Sequence, residues 1–182
     1  IMKTLIIYSS QTGFTKKYAT WLSEELQADC IPLKDAKKIN LDDYKNIIYG
    51  SWFCAGGLNS LNWFISKVSK LATIKNKKIA IFGVGASPKE NPELPAALEK
   101  VNSVIFSKLD KDLNLKVFYC QGGLNYEIMG TPSKLAMKMF VKILKSNKNK
   151  TPQDEEMIKM VSSSYDISDK KFIEPIIDFI KQ

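Results

Sequence analysis

Residues 6–15 read Ile-Ile-Tyr-Ser-Ser-Gln-Thr-Gly-Phe-Thr, an apolar strand that runs into hydroxyl side chains and a glycine and then into a helical pattern. The first N–H groups of a helix lack intrahelical partners, and the helix dipole leaves a partial positive charge there. The stretch is therefore typical of an anion site such as a phosphate cradle. An ordinary strand–turn–helix with polar capping residues has the same local pattern, so both interpretations stay open.

Composition limits the class of protein and of chemistry. The 182 residues are enough for one domain with a single hydrophobic core. The chain has no histidine, and its 27 basic residues are all lysine. Ser-His-Asp and Cys-His nucleophile systems and His-ligated metal sites are therefore excluded. The three separated cysteines lack Cys-x-x-Cys spacing, which argues against a zinc site and a disulfide framework, and we predict no metal site.

Charge and hydropathy bear on partners and location. The net charge is +8, but the lysines are spread along the chain without interleaved aromatic residues, so we predict no nucleic-acid binding. The longest apolar runs are strand-sized, below the roughly 18 to 20 residues of a membrane span. The N-terminal segment does not have the pattern of a secretion signal. We expect a cytoplasmic protein.

Apolar runs alternate with amphipathic segments, a pattern typical of β-α-β units around a buried parallel sheet. Segments rich in Ile, Val, Leu and aromatic residues, each ending near a turn signal, are predicted as five strands: 3–8, 29–33, 46–50, 78–83 and 115–120. The segments between and after them carry apolar residues at helical spacing. Pro175 lies inside the last of these patterns and predicts a helix that starts late or bends.

The loops that leave the first, third and fourth predicted strands meet at one edge of such a sheet, where parallel α/β proteins bind their ligands. The first is the anion candidate. The second, Ser51-Trp52-Phe53-Cys54-Ala55-Gly56-Gly57, places aromatic rings beside glycines, as a flat ring ligand needs. The third is Val84-Gly85-Ala86-Ser87-Pro88. Taken singly, each loop is also compatible with ordinary structure, since an aromatic residue such as Trp52 is common in a core.

These loops, in this order, resemble those of the flavodoxin family, whose phosphate-loop pattern hydroxyl-x-Thr-Gly-x-Thr is matched by residues 10–15. The resemblance covers most of the chain and implies a flavodoxin-like three-layer α/β/α fold, with a five-stranded parallel sheet in the order 2-1-3-4-5 and FMN at its carboxyl edge. The first loop would hold the phosphate, and the other two would flank the isoalloxazine ring. The cofactor-binding residues implied are Ser9, Ser10, Gln11, Thr12, Gly13, Phe14, Thr15, Ser51, Trp52, Phe53, Cys54, Ala55, Gly56, Gly83, Val84, Gly85 and Ala86.

Two features differ from the electron shuttles of that family. Such shuttles are usually acidic, whereas this chain is basic. Their fourth-strand loop commonly carries an aromatic residue that covers the flavin, whereas residues 84–90 carry none. We therefore expect a more open flavin than in a shuttle.

A helical insert follows the fifth predicted strand, at about residues 121–160 of a single domain that spans 1–182. Its start, Gly123-Leu124-Asn125-Tyr126-Glu127-Ile128, and the helix that follows resemble the flavodoxin-domain branch that includes the quinone-dependent protoporphyrinogen dehydrogenases. The resemblance implies a porphyrinogen oxidation with a quinone acceptor as an alternative activity.

The helix predicted at 131–146 has one lysine stripe and an apolar arc wider than a single core contact needs. Part of this arc therefore needs a second apolar partner, which is another part of the chain, a protomer, a docking protein or a membrane surface. We assign this second contact to Met137, Phe140, Val141 and Leu144.

Reactive side chains near the predicted site are few. Cys54 is placed to contact a flavin or meet an oxidant, although a free cysteine usually acts as a small apolar residue. A Cys54–Cys120 disulfide is not expected, because the strand between them puts their Cα atoms about 9 to 10 Å apart. Tyr126, Glu127 and Glu90 are the nearby proton-transfer candidates, and each is also typical of a solvated loop. We assign no catalytic residue.

The sequence thus predicts a flavodoxin-like redox protein that passes electrons through non-covalent FMN to a partner protein. A protoporphyrinogen-dehydrogenase-like enzyme is the alternative, with porphyrinogen and quinone as small-molecule partners. A second alternative is a protein that binds another phosphate compound without flavin. A peripheral membrane contact or a protomer contact is expected through the 131–146 helix.

Overall fold

A twisted parallel sheet forms the centre of the computed structural model, which describes residues 3–54 and 56–182. The strands of the described residues are β1 (Thr4–Tyr8), β2 (Asp29–Pro32), β3 (Asn46–Cys54), β4 (Gly57–Leu58), β5 (Lys78–Gly85), β6 (Leu115–Gln121), β7 (Gly123–Leu124) and β8 (Tyr165–Asp166). The parallel strands follow the order β2-β1-β3-β5-β6. This confirms the predicted order 2-1-3-4-5, because β5 and β6 are the fourth and fifth predicted strands. The short β4 pairs with the end of β3, and β7 pairs with β8 in a separate antiparallel sheet.

Helices cover both faces of the sheet. They are α1 (Phe14–Leu26), α2 (Leu61–Val68), α3 (Leu94–Phe106), α4 (Thr131–Ser146), α5 (Pro152–Val161) and α6 (Glu174–Lys181). Alternate residues of a strand point to opposite faces. Accordingly Ile6 lies in a core with α1 and α6, whereas Leu5 and Ile7 lie in a core with α2 and α3. Both faces are therefore buried, as a parallel sheet requires, and the three-layer prediction is confirmed.

Two predicted strand ends are too early, and both predictions stopped at a glycine. β3 runs past Gly50 to Cys54, and β5 runs past Gly83 to Gly85. A Cβ added at Gly50 would lie 2.0 Å from Cζ of Phe82, and one added at Gly83 would lie 2.4 Å from Cε2 of Phe53. These glycines make room for neighbouring rings inside the sheet, so they do not mark turns.

The C-terminal elements resolve one open prediction. Pro175 lies in the first turn of α6, after a 3-10 turn at Lys170–Ile173. The helix therefore starts late instead of bending, because proline is tolerated where the first N–H groups have no partner.

The insert contains β7, α4 and α5, and β8 returns the chain to the main body. Met137, Val141 and Leu144 lie half-buried against the chain itself, which is one of the apolar partners that the sequence left open for them. The most exposed apolar side chains of α4 are Leu135 and Ile143, at 60% and 64%. Periodicity fixes the angles between side chains but does not tell which side of a helix faces its own protein. Within the described residues, no helix is long and apolar enough to cross a bilayer.

Candidate functional site

A cavity of about 450 Å³ opens at the carboxyl edge of the sheet, where the three predicted loops meet α4. Its volume is in the range of small-molecule and cofactor sites. The predicted residues that line it come from all three loops: Ser10, Gln11, Thr12, Phe14, Thr15, Trp52, Phe53, Cys54, Val84, Gly85 and Ala86. Residues after β6 complete the wall: Gly123, Leu124, Met129, Ser133, Ala136, Met137 and Phe140.

One end of the cavity is polar and lies at the N-terminus of α1. Gly13 precedes the helix with a φ of +96°, a left-handed conformation that favours glycine, and its N–H donates to Ser10 Oγ at 3.1 Å. Within the described residues, α1 has no side-chain cap and no acidic residue in its first turn. Thr12 and Thr15 line the cavity here, and Thr15 is only 1% exposed. Hydroxyl groups and uncapped N–H groups are therefore available for an anion.

Lysines of the same loop do not turn into the cavity. Lys17 Nζ lies 2.8 Å from Asp166 Oδ2 and donates to Ser168 Oγ at 2.8 Å, which ties α1 to the segment around β8. Lys16 borders a neighbouring open hollow with Lys34, which shares Ser10 and Gln11 with the cavity. The polar end thus offers neutral donors and a helix terminus, with no lysine among the described residues of the cavity wall.

Two predicted residues, Ser9 and Ser51, hold the site together from behind the cavity wall. Ser9 Oγ donates to Asn59 Oδ1 at 3.0 Å, and the buried Ser51 Oγ donates to the carbonyl oxygen of Asn59 at 2.7 Å. Tyr49 Oη donates to the same carbonyl at 2.8 Å. Asn59 therefore joins the ends of β1 and β3. No local sequence pattern predicts this role, because its partners lie far away in the chain or on the neighbouring strand.

The other end of the cavity is apolar. Trp52, Phe53 and Cys54 come from the end of β3, and Val84 to Ala86 come from β5 and the loop that follows it. Gly85 leaves room for Tyr119, whose hydroxyl oxygen would lie 2.5 Å from a Cβ at residue 85.

The remaining predicted residues of these loops lie off the cavity. Gly83 is overlain by the ring of Phe53. Gly56, with a φ of +77°, borders a smaller neighbouring hollow of about 210 Å³. Ala55 lies outside the described residues.

The segment after β6 supplies a wall that the sequence did not predict. Met137 and Phe140 of α4 line the cavity, and Phe140 is 41% exposed. Gln11 Nε2 donates to Ser133 Oγ at 3.1 Å, so the first loop is joined to the start of α4. The site is therefore less open than the missing aromatic residue in the third loop predicts.

The pairing of β7 with β8 fastens this segment. Tyr165 Oη donates to the carbonyl oxygen of Ala86 at 2.7 Å, and burial raises the pKa of Tyr165 to about 12, so the hydroxyl stays a donor at neutral pH. A Cβ at Gly123 would lie 2.0 Å from the carbonyl oxygen of Tyr165 and 3.0 Å from Cζ of Phe14. Gly123 is thus needed where β8, β7 and the first loop meet.

The proton-transfer candidates lie outside the cavity. Tyr126 Oη donates to the carbonyl oxygen of Val161 at 2.6 Å, and burial raises the pKa of Tyr126. Glu127 accepts a hydrogen bond from Ser164 Oγ at 2.6 Å, which lowers the pKa of Glu127. Glu90 is exposed. Among the described residues that line the cavity, Cys54 is the one with an ionisable side chain.

The cysteines are free thiols. β5 lies between β3 and β6, so Cys54 and Cys120 end strands that are not neighbours, as predicted. Cys120 is fully buried, and burial raises the pKa of its thiol. Cys54 is exposed and lines the cavity.

Comparison with known proteins adds independent information. A family model described as a flavodoxin domain matches residues 5–151. A flavodoxin-like domain-containing protein, BilS, of Clostridioides difficile (strain CD3) is 36% identical over 131 residues, which are 66% of this chain and 66% of that protein. The aligned region thus leaves about a third of that curated relative uncovered.

Two solved structures align with this chain at low identity. The Trp repressor binding protein of Bacillus subtilis aligns over 68% of this chain and 85% of its own, with 18% identity and a TM-score of 0.50. A flavoprotein in complex with FMN from Lactobacillus acidophilus NCFM aligns over 66% of this chain and 93% of its own, with 18% identity and a TM-score of 0.47.

Proposed function

Since the chain belongs to the flavodoxin domain family, we propose that it binds FMN non-covalently in the 450 Å³ cavity and transfers electrons to and from a partner. The observation that carries this proposal is the division of the cavity into a polar end at an uncapped helix N-terminus and an apolar end between β3 and β5. Such a division suits a ligand with a phosphate at one end and a flat ring at the other.

The residues present fit FMN. Ser10, Thr12, Thr15 and the first N–H groups of α1 would hold the phosphate, because they combine hydroxyl donors with the positive end of a helix. Trp52 at the end of β3 and the backbone of Gly85 would flank the ring. Bound FMN supplies one- and two-electron transfer, whereas the protein contributes binding, orientation and electrostatics.

The cavity wall favours an electron carrier over an acid–base enzyme. Its described residues include no Asp, Glu, Lys or Tyr, and the candidates Tyr126 and Glu127 are hydrogen-bonded elsewhere. Electron transfer through a flavin needs no such side chain. Met137 and Phe140 add apolar surface to one side of the cavity, and Cys54 places a thiol in its wall.

The second candidate is an oxidoreductase of the protoporphyrinogen-dehydrogenase type with a quinone acceptor. The insert favours it, because α4 and β7 contribute an apolar wall to the cavity that a large apolar substrate can contact. Purified protein loaded with FMN distinguishes the two. The enzyme would oxidise a porphyrinogen or reduce a quinone with many turnovers, whereas the carrier would only exchange electrons with a flavodoxin reductase.

An FMN titration tests the central proposal. We expect Thr12→Asp to weaken FMN binding at least about a hundredfold, because two like charges about 5 Å apart at an effective dielectric constant near 20 repel by about 3 kcal/mol. The matched control is Thr20→Asp, which adds the same charge to an exposed position of α1 about two turns away. Its effect on FMN binding is expected to be less than about threefold, since separation beyond a Debye length screens the charge.

The outcomes of the titration separate the alternatives. A protein that binds no FMN but binds inorganic phosphate, and loses it on Thr12→Asp, belongs to the flavin-free alternative. Equal losses with Thr12→Asp and Thr20→Asp would show that the phosphate does not lie at the first loop. A colourless protein that takes up neither ligand contradicts the proposal outright.

A further inference from the structure

One side of α4 exposes an apolar ridge. Leu135, Met139 and Ile143 are spaced four residues apart and are 60%, 58% and 64% exposed. Nearby in the chain, Ile128 is 58% exposed. They line neither the cavity, whose α4 residues are on the adjoining face of the helix, nor the hollow between α4 and the segment after α5. Isolated apolar residues are common on protein surfaces, but a continuous ridge on one helix indicates an interaction site.

A lysine stripe borders this ridge. Lys138 and Lys142 lie within about 100° of its centre at the helical angle of 100° per residue, and Lys134 and Lys145 follow on the same flank. Residues 128–153 contain six lysines and no acidic residue. Among the described residues, no carboxylate lies within 4.0 Å of an α4 lysine ammonium. Glu127 borders the same open hollow as Lys134, Lys138 and Lys145, but four lysines face this one carboxylate, so the stripe is available for further negative charge from outside the chain.

The charge around the ridge indicates which kind of partner can bind it. A second copy would bring the same lysine stripe against this one, within a chain of net charge +8, and like charges at an interface oppose association. The acidic residues of α5, Asp154, Glu155 and Glu156, are outnumbered by the lysines of residues 128–153. The occupant should therefore carry negative charge beside an apolar layer.

The shape of the ridge favours a lipid surface over an acidic protein as the partner. A protein partner needs a preformed groove that matches this projecting ridge, whose side chains line neither adjoining hollow of this chain. Acyl chains adapt to a projecting ridge, and lysines extend along the apolar surface to place their ammonium groups at the phosphate level.

We propose that α4 docks this protein on the surface of an anionic phospholipid bilayer, with Leu135, Met139 and Ile143 inserted among the acyl chains and the lysine stripe on the lipid phosphates. The helix lies along the surface and does not cross it. This site is separate from FMN binding, so the test below is independent of the proposed function.

Vesicle sedimentation tests the proposal with the purified 182-residue chain. We expect binding to vesicles of phosphatidylcholine mixed with phosphatidylglycerol, and at least about tenfold weaker binding to pure phosphatidylcholine, since basic clusters add affinity only on an anionic surface. Leu135→Ser with Ile143→Ser should weaken binding to the mixed vesicles by about tenfold or more, because apolar insertion is lost. Both positions are exposed, so the variant should retain the thermal unfolding midpoint of the wild type.

A charge-matched pair of variants tests the lysine stripe. Lys138→Gln with Lys142→Gln should weaken binding to the mixed vesicles by about tenfold or more, since each lysine near an anionic surface contributes on the order of 1 kcal/mol. The control, Lys70→Gln with Lys111→Gln, removes two exposed lysines outside α4 and should change it less than threefold, an order-of-magnitude bound for charges away from the surface.

Three results would overturn the proposal. Wild-type protein that fails to bind the anionic vesicles excludes the lipid surface as the occupant. Equal weakening by the Lys138/Lys142 and Lys70/Lys111 pairs would show non-specific charge attraction. A concentration-dependent dimer that Leu135→Ser with Ile143→Ser abolishes, measured by sedimentation velocity without lipid, would assign the ridge to a second copy.

Discussion

Gly83→Ala is expected to destabilise the protein and to deform the cavity. Gly83 lies inside β5, and an added Cβ would be 2.4 Å from Cε2 of Phe53 and 2.7 Å from Cδ2 of Leu58. Carbon atoms pack at about 3.5 to 4.0 Å, so the Phe53 ring would have to retreat by about 1 Å. Overpacking of this kind costs about 1 to 3 kcal/mol of unfolding free energy. Since Phe53 lines the cavity, FMN affinity should also fall.

Gly57→Ala is the matched control for this prediction. Gly57 lies in β4, beside the same loop, and a Cβ there would have no atom of the described residues within 4 Å. Alanine should therefore leave the unfolding free energy unchanged or raise it by up to about 1 kcal/mol, because it reduces the entropy of the unfolded chain.

Urea denaturation, followed by far-UV circular dichroism, measures both variants. For a chain of this size a loss of 1 to 3 kcal/mol corresponds to a fall of about 2 to 12 °C in Tm, which gives a second readout. Gly83→Ala within about 0.5 kcal/mol of the wild type would refute the reasoning that Phe53 is held over the glycine. Equal destabilisation by Gly57→Ala would attribute the effect to a general intolerance of alanine in this loop.

Three further predictions concern the support of the site. Asn59→Ala should lower the unfolding free energy by about 1 kcal/mol in urea denaturation, because it removes the side-chain acceptor of the half-buried Ser9 and Ser60 hydroxyls. The exposed control Asn62→Ala should change it by less than about 0.5 kcal/mol. Burial raises the pKa of Asp166, but hydrogen bonds led by that from Lys17 outweigh this and lower it overall. The Asp166 contribution to stability is therefore complete above the ordinary aspartate pKa and is lost as the pH falls through the lowered value, and Asp166→Asn should flatten the stability profile below about pH 5. Phe140→Ala should weaken FMN binding about tenfold and increase quenching of bound flavin by iodide, since part of the apolar wall is lost.

The order of the sheet was predictable because β-α-β alternation and parallel pairing leave few topologies. The strand ends at Gly50 and Gly83 were not predictable, because the sequence does not distinguish a glycine that makes room for a ring from another strand from a glycine that ends a strand. Packing against the rings of Phe82 and Phe53 distinguishes these two kinds of glycine. Only the fold brings those rings to these positions.

The candidate site also has a part that was predictable from the sequence and a part that was not. The loops after β1, β3 and β5 were predictable, because the carboxyl ends of parallel strands meet at one edge. The role of Asn59 was not predictable, since its amide and carbonyl oxygens act by accepting hydrogen bonds from the hydroxyls of Ser9 and Ser51. Nor was the wall from α4, because the hydrogen bond of Gln11 with Ser133 spans 122 residues of chain, and no local pattern fixes such a contact.

The wide apolar arc of α4 reflects two separate surfaces. Met137 and Leu144 lie half-buried toward the chain, and Phe140 stands between the cavity and solvent. Leu135 and Ile143 point away and are the most exposed large apolar residues of the described chain. A helix that only covered a cofactor would gain nothing from apolar residues on its outer side, where polar ones cost less and aggregate less. The outer ridge and the lysines beside it therefore call for an explanation separate from cofactor binding, and an anionic bilayer surface satisfies both with one contact.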